Sequence, residues 1–268
     1  MLFVNLCQCV YPFLLYSIFF YFCLPLKIHS YLFYKLMIMK RLTILLGMLI
    51  SSMLVCFAQK GCPTITDREG YTYRTVLLGR QCWMAENLRT TYNRNGQEIL
   101  QSNQKSDNLP YRYCPNGRKK NVGTYGYLYN WEAAKVACPD GWHLPTDAEW
   151  TQLTDYVSSQ DVYICDGTSA NNAKALAATT HWKGCQKHCT AGNHPEENNA
   201  TGFGVLPAGG FYNDGYGYFG KGTFFWTSTE FNDNSAYKRY LDYDATSLVR
   251  YTYLKLGGGA VRCVKDLY

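Results

Sequence analysis

Acidic side chains are missing from the first 58 residues, and charged residues of either sign are sparse throughout, 17% of 268. Sparse charge together with 47% hydrophobic residues excludes an intrinsically disordered chain, which requires the reverse balance. Proline is scarce as well, 9 residues against 23 glycines, which excludes collagen-like and linker compositions. No basic run is longer than Arg118-Lys119-Lys120, which follows Pro115, Asn116 and Gly117 and reads as a solvated loop rather than a nucleic-acid stripe. G-x-S-x-G, Walker and H-E-x-x-H patterns are absent, as are internal repeats of roughly 20 to 50 residues. No nucleic-acid partner and no cofactor is expected.

The first 58 residues carry four cations, Lys27, Lys35, Lys40 and Arg41, and two apolar runs, Tyr11 to Leu26 and Leu42 to Phe57. Each run is at or below the ~20 residues a spanning helix needs. The second has the layout of a signal peptide over residues 39–58: Met39-Lys40-Arg41 as the basic start, Leu42 to Val55 as the apolar stretch, and Cys56-Phe57-Ala58 as the cleavage site. Residues 1–38 are then a mis-assigned upstream extension or an extra membrane segment. Met53-Leu54-Val55-Cys56 departs from a lipobox because branched Val55 stands where a small residue is needed. Membrane contact is therefore expected only through this segment, with the mature chain periplasmic, outer-surface or secreted, and a lipidated or membrane-anchored form as the alternative. Export removes four of the 26 basic residues and leaves 22 against 20 acidic, a net charge of +2 in place of +6.

Eight cysteines remain beyond the export region: Cys62, Cys82, Cys114, Cys138, Cys165, Cys185, Cys189 and Cys263. An even count in an exported chain favours disulfides, although eight thiols permit about 105 pairings. His181, Cys185, His188, Cys189 and His194 form the sharpest metal candidate, but their spacing lacks the paired knuckles of structural zinc sites, so bridges or free thiols are the reading and no metal is expected.

The remaining residues, 59–268, read as one domain. Thr72 to Leu78 has strand chemistry ending in a Gly79-Arg80 turn, and polar Tyr92 to Asn121 reads as a long surface loop. A helix is expected over Trp131 to Ala137 with Asn130 as N-cap, and a second from the Thr146/Glu149 capping box with Trp150, Leu153 and Val157 on one face. Asn171 to Thr179 suggests a third. Beyond Gly202, Phe224 to Trp226, Tyr237 to Asp242, Leu248 to Leu254 and Ala260 to Val264 read as strands, joined by short loops such as Gly257-Gly258-Gly259. Helices in the first part and an aromatic, strand-rich C-terminal half define an α+β class.

Cys82-Trp83-Met84-Ala85-Glu86-Asn87-Leu88, the block Cys138 to Trp150, Phe203 to Gly210, Phe225 to Glu230 and Val261 to Asp266 together resemble the Fibrobacter succinogenes major paralogous domain over about Ile65 to Asp266. Such domains occur on exported bacterial proteins, particularly of the Bacteroidetes and Fibrobacteres, and have no established general activity. More distantly, Trp131-Glu132-Ala133-Ala134 followed by Cys138, Gly141 and Leu144 is similar to the first helix and closing strand of the C-type-lectin-like fold. That resemblance implies a Cys138–Cys263 bridge, worth ~4–5 kcal/mol on the chain-entropy model for its long loop. His143 to Trp150 and Trp226-Thr227-Ser228 also look like the formylglycine-generating enzymes, which act through a copper-binding cysteine pair.

No cysteine lies between Trp226 and Ala260, so that catalytic pair is unmatched and no catalytic residue is assigned. His143, Asp147, Glu149, Glu86 and Asn87 are explained by local hydrogen bonding and helix capping. His194-Pro195-Glu196 and Trp226-Thr227-Ser228 depart from the calcium-dependent sugar-binding triplets. Asn213, Asp214, Tyr216, Tyr218 and Trp226, interleaved with glycines, remain as a candidate ligand surface, because such rings offer an apolar face and a polar edge. The expectation is a noncatalytic recognition or cell-envelope structural module with a glycan, cell-wall polymer or protein ligand. A divergent formylglycine-generating-type cysteine oxidase is the alternative.

Overall fold

Four α-helices and five small sheets make up the described body of the protein in a computed structural model that describes residues 34–44, 61–106 and 108–266. Residues 34–44 are an exposed helix in a separate unit, and most of the expected export segment lies outside the described residues. No helix among the described residues is long and apolar enough to cross a membrane. Gly61–Tyr268 forms one compact α+β unit.

In that unit, β1 (Ile65–Thr66) pairs with β2 (Thr72–Tyr73). Strands β3 (Thr75–Leu78) and β4 (Gln81–Met84) form a hairpin around Gly79-Arg80, and the last strand, β13 (Val264–Asp266), adds to β4. β5 (Leu100–Gln101), β6 (Tyr111–Tyr113) and β7 (Leu128–Tyr129) make a third sheet. Here the structure corrects the long surface loop expected over Tyr92 to Asn121. Ile99, Tyr113 and Cys114 are buried, because β6 pairs with β7 and Asn130 accepts the Tyr111 N–H while donating to Ser106 and Leu109 carbonyls.

A short turn of helix, α1 (Val122–Tyr125), precedes α2 (Trp131–Ala137), whose N-cap Asn130 accepts from the Ala133 N–H. Helix α3 (Asp147–Ser158) has the expected capping box: Thr146 Oγ1 accepts from the Glu149 N–H, and the Glu149 carboxylate accepts from the Thr146 N–H at 2.6 Å. Its Trp150, Leu153 and Val157 are fully buried, as their 3-4 spacing requires. The third expected helix shrinks to α4 (Ala173–Leu176), because Ala177 leaves the helix to bridge Val205 and the Ala178 N–H goes to the Val205 carbonyl.

The C-terminal half contains the hairpin β8 (Gly210–Tyr212) and β9 (Gly215–Gly217) and the antiparallel sheet β10 (Gly222–Asn232), β11 (Ser235–Asp242) and β12 (Val249–Leu254). One face of that sheet presents Phe225, Arg239 and Arg250 to α3. Asp147, in the first turn of α3, holds both guanidiniums, at 2.6 Å from Arg239 Nη2 and 2.7 Å from Arg250 Nε.

Residues 257–264 are neither an exposed loop nor one strand. All eight are buried, and their backbone reaches separate elements in turn: Gly258 bonds Phe211, Gly259 bonds Tyr129, Ala260 bonds Phe224 and Trp226, and Val264 bonds His143. A Cβ on Gly259 would stand 2.2 Å from the Phe224 ring, so no larger residue fits where this segment crosses the core.

Cys138 and Cys263 are bridged, as are Cys62–Cys82 and Cys165–Cys189. Beside Cys263, the fully buried guanidinium of Arg262 donates to Asn87 Oδ1, to the Met84 and Phe203 carbonyls and to the Gly204 carbonyl, and lies 4.4 Å from the Phe203 ring. Burial lowers its pKa, to about 9, which leaves it charged at neutral pH. Arg262→Met would orphan these acceptors in the core. A loss of about 3–5 kcal/mol in urea unfolding is expected, and a loss below about 1 kcal/mol would refute the role assigned to the guanidinium.

Candidate functional site

The second face of the β10–β12 sheet is aromatic. Cross-strand register puts Phe224, Trp226, Lys238, Tyr240, Tyr251 and Tyr253 on it. The β8–β9 hairpin then folds Tyr212 against Phe224, Tyr253 and Tyr218, at centroid separations of 5.8, 5.5 and 5.5 Å. Tyr218, in a left-handed conformation at φ 59°, also lies 6.1 Å from Tyr240 and is 53% exposed.

Lys238 sits at the centre. Its Nζ lies 4.6 Å from the Phe224 and Tyr253 ring centroids, 5.4 Å from Tyr240 and 5.8 Å from Tyr212. The residue is 9% exposed, and among the described residues its ammonium has no carboxylate or hydrogen-bond partner. Burial pushes its pKa down from 10.5 to about 8. Cation–π contacts, each worth ~0.5–2 kcal/mol, are what the surroundings return to the charge. Tyr240 donates to Asp242 at 2.6 Å, and burial followed by that bond pushes the Tyr240 phenol well up.

The residues expected to bind ligand divide among three environments. Asn213 and Asp214 form the exposed hairpin turn, where Asn213 donates its N–H to Tyr253 Oη and accepts from Lys105. Tyr218 is on the aromatic face. Tyr216 points the other way, packing on Phe211 at 4.9 Å. Trp226 is corrected from ligand residue to core residue: it is fully buried, and its indole N–H donates to the Tyr129 carbonyl. Lys238, Tyr212, Tyr240 and Tyr253 were missed. The available signal was Lys238 and Tyr240 at alternate positions of one strand, facing the same way.

Other chemistry-bearing groups make local hydrogen bonds and ion pairs. His143 Nε2 is 2.6 Å from Glu149 Oε1. Burial raises the Glu149 pKa, but hydrogen bonds from His143 and Thr146 outweigh it, and the net shift is downward. Glu86 accepts the Arg74 N–H, and Asn87 holds Arg262. Two polar clefts, of about 330 Å³ beside Asp67, Arg94 and Asp140 and about 230 Å³ beside Glu86, Arg89 and Asn199, are lined by neither histidine nor cysteine. Among the described residues Cys114 and Cys185 are unbridged; Cys114 is buried, and desolvation pushes its thiol up, away from nucleophilic activation. Of the five Cys and His residues grouped from sequence, only His188 and Cys189 come together, joined by Cys165 and Asp166.

The fold and this face define a disulfide-bridged α+β domain with an aromatic, lysine-centred surface. The family model of the Fibrobacter succinogenes major domain matches residues 76–265, and the chain belongs to that family. Comparison with curated proteins and with solved structures finds no match.

Two pH dependences follow. Because Lys238 titrates lower folded than unfolded, the unfolded chain binds more protons between about pH 8 and 10.5, and stability rises with pH through that window. Lys238→Met is expected to gain about 1–3 kcal/mol at pH 7 and to flatten the rise, read by urea unfolding from pH 7 to 10; destabilisation at pH 7 would contradict this. Glu149 has the opposite sign: its lowered pKa supplies stability above 4.5 that is lost as pH falls through the folded value. Removing the His143 bond with His143→Gln should move the acid-unfolding midpoint up by on the order of 0.5 pH unit, and an unmoved midpoint would sink the assignment.

Proposed function

We infer that this is an exported, noncatalytic recognition module of the cell envelope, built on a C-type-lectin-like scaffold, whose aromatic face takes a glycan or cell-wall polymer. The observation that carries it is the nearly buried, unpartnered Lys238 ringed by Tyr212, Phe224, Tyr240 and Tyr253, with exposed Tyr218 and Tyr251 beside it. A sugar ring can stack on tyrosine faces while its hydroxyls or an acidic substituent meet phenol groups and the ammonium. Three bridges support passage through an oxidising compartment, where such bonds form and persist. The Cys138–Cys263 link, from the end of α2 to the residue before β13, supports the lectin-like scaffold. The buried, deactivated Cys114 thiol weighs against the cysteine-oxidase alternative.

The test is a binding screen of the purified protein against glycans and cell-wall polymers. Saturable binding weakened about ten-fold by Tyr218→Ala, with the fold intact by circular dichroism, is the expected result. Binding indifferent to both Tyr218→Ala and Tyr240→Ala would move the site elsewhere. Copper-dependent oxidation of a cysteine peptide would replace the noncatalytic reading altogether.

A further inference from the structure

The segment between α3 and β8 brings four ligand-type side chains together away from the aromatic face. Cys165 and Cys189 are bridged, and Asp166 and His188 flank the bridge. His188 Nε2 lies 3.1 Å from Asp166 Oδ1 and 3.8 Å from Cys165 Sγ, and Cys189 Sγ lies 3.4 Å from Asp166 Oδ2. All four ligand atoms fall within 4.8 Å of one another.

These separations are those of a small tetrahedron. With zinc–sulfur bonds of about 2.3 Å and zinc–nitrogen or zinc–oxygen bonds of about 2.0–2.2 Å, the edges of a tetrahedral site are roughly 3.4–3.8 Å. The His188–Cys165 contact and the two Asp166 contacts, one through each carboxylate oxygen, are near that length, so a rotation of the Asp166 carboxylate and an opening of the sulfur–sulfur edge complete the site. The Cα atoms of Cys165 and Cys189, 5.6 Å apart, allow this without moving the backbone far. The His188 and Asp166 side chains are 67% and 61% exposed, so an ion can reach them.

We propose that Cys165, Asp166, His188 and Cys189 form a redox-gated zinc site, in which the disulfide and the metal are alternative cross-links. A dithiol reductant donates two electrons and two protons to the bridge, giving two thiols and the cyclic disulfide of the reductant. Zinc then displaces the two thiol protons and takes both sulfurs, the His188 imidazole nitrogen and one Asp166 oxygen. The oxidised protein offers only nitrogen and oxygen ligands and binds zinc weakly. The Cys138–Cys263 bridge is less accessible to a reductant, both cysteines being fully buried, whereas Cys165, like Cys62, is half-buried beside a buried partner.

The test treats the purified protein with a dithiol, removes the reductant anaerobically, and alkylates with and without zinc before peptide mapping. Zinc should slow modification of Cys165 and Cys189 at least ten-fold while leaving Cys185 unprotected, with one ion bound per reduced chain. Cobalt in place of zinc should give sulfur-to-metal charge-transfer absorption. His188→Ala and Asp166→Asn, each checked by circular dichroism for an unchanged oxidised fold, should weaken zinc at least about ten-fold after reduction. Equal alkylation with and without zinc, or protection that survives both substitutions, would overturn the proposal.

Discussion

Everything in this domain depends on the passage of residues 257–264 through its interior. Buried backbone donors and acceptors need partners, and those of Gly258, Gly259, Ala260 and Val264 find them in the hairpin, the third sheet, the large sheet and the turn before α3 in succession. No continuous ladder could reach four such places, which is why the segment is irregular. Gly258 and Gly259 let aromatic rings close directly over the backbone, with a Cβ on Gly258 falling 2.7 Å from Tyr113. The Cys138–Cys263 bridge and the Arg262 guanidinium then fix the end of the passage to α2, to the loop after β4 and to Phe203.

The large sheet shows how one framework treats two buried cations differently. Arg239, on the face toward α3, is lowered by burial but opposed by Asp147, which also holds Arg250. That cluster is a structural tie between helix and sheet. Lys238, one residue away and therefore on the other face, receives only aromatic rings. A charge left without an anion, beside exposed phenols, is a cost in the isolated domain that a ligand could offset. The same alternation that hides one cation in the scaffold presents the other to a surface.

Local signals were legible in the sequence wherever the cause is local. The capping box at Thr146 and Glu149, the Asn130 cap and the 3-4 spacing of Trp150, Leu153 and Val157 each specify their helix through neighbours in the chain. The strand run Tyr237 to Asp242 lies wholly within β11. What escaped depends on distant partners. Trp226 reads as a surface ring beside a glycine-rich turn until Tyr129 supplies its hydrogen-bond acceptor from 97 residues away. Lys238 is one lysine among many until the register sets four rings around it. The cysteine and histidine group near 181–194 was drawn by proximity in sequence, whereas the structure recruits Cys165 and Asp166 from before α4.

The segment from 159 to 209 explains why a cross-link is placed there. Its regular structure is confined to α4 and two single turns, and five non-glycine residues, Asp166, His181, Cys189, His194 and Asn199, adopt positive φ. Such conformations cost energy that a repeating ladder does not recover, so other bonds must hold them. Asn198 donates to the Ala178 and Ala191 carbonyls, Thr201 to the Ala175 carbonyl, and Lys174 to the Asn193 and His194 carbonyls. These ties all lie toward the α4 side. At the opposite end, turns within 165–171 and 185–193 are held by their own hydrogen bonds, and the two loops are joined to each other by the bridge and the exposed ion pair of His188 with Asp166. The covalent link between those two loops is a bond whose survival depends on redox conditions, and two further ligands stand where a second kind of cross-link could replace it.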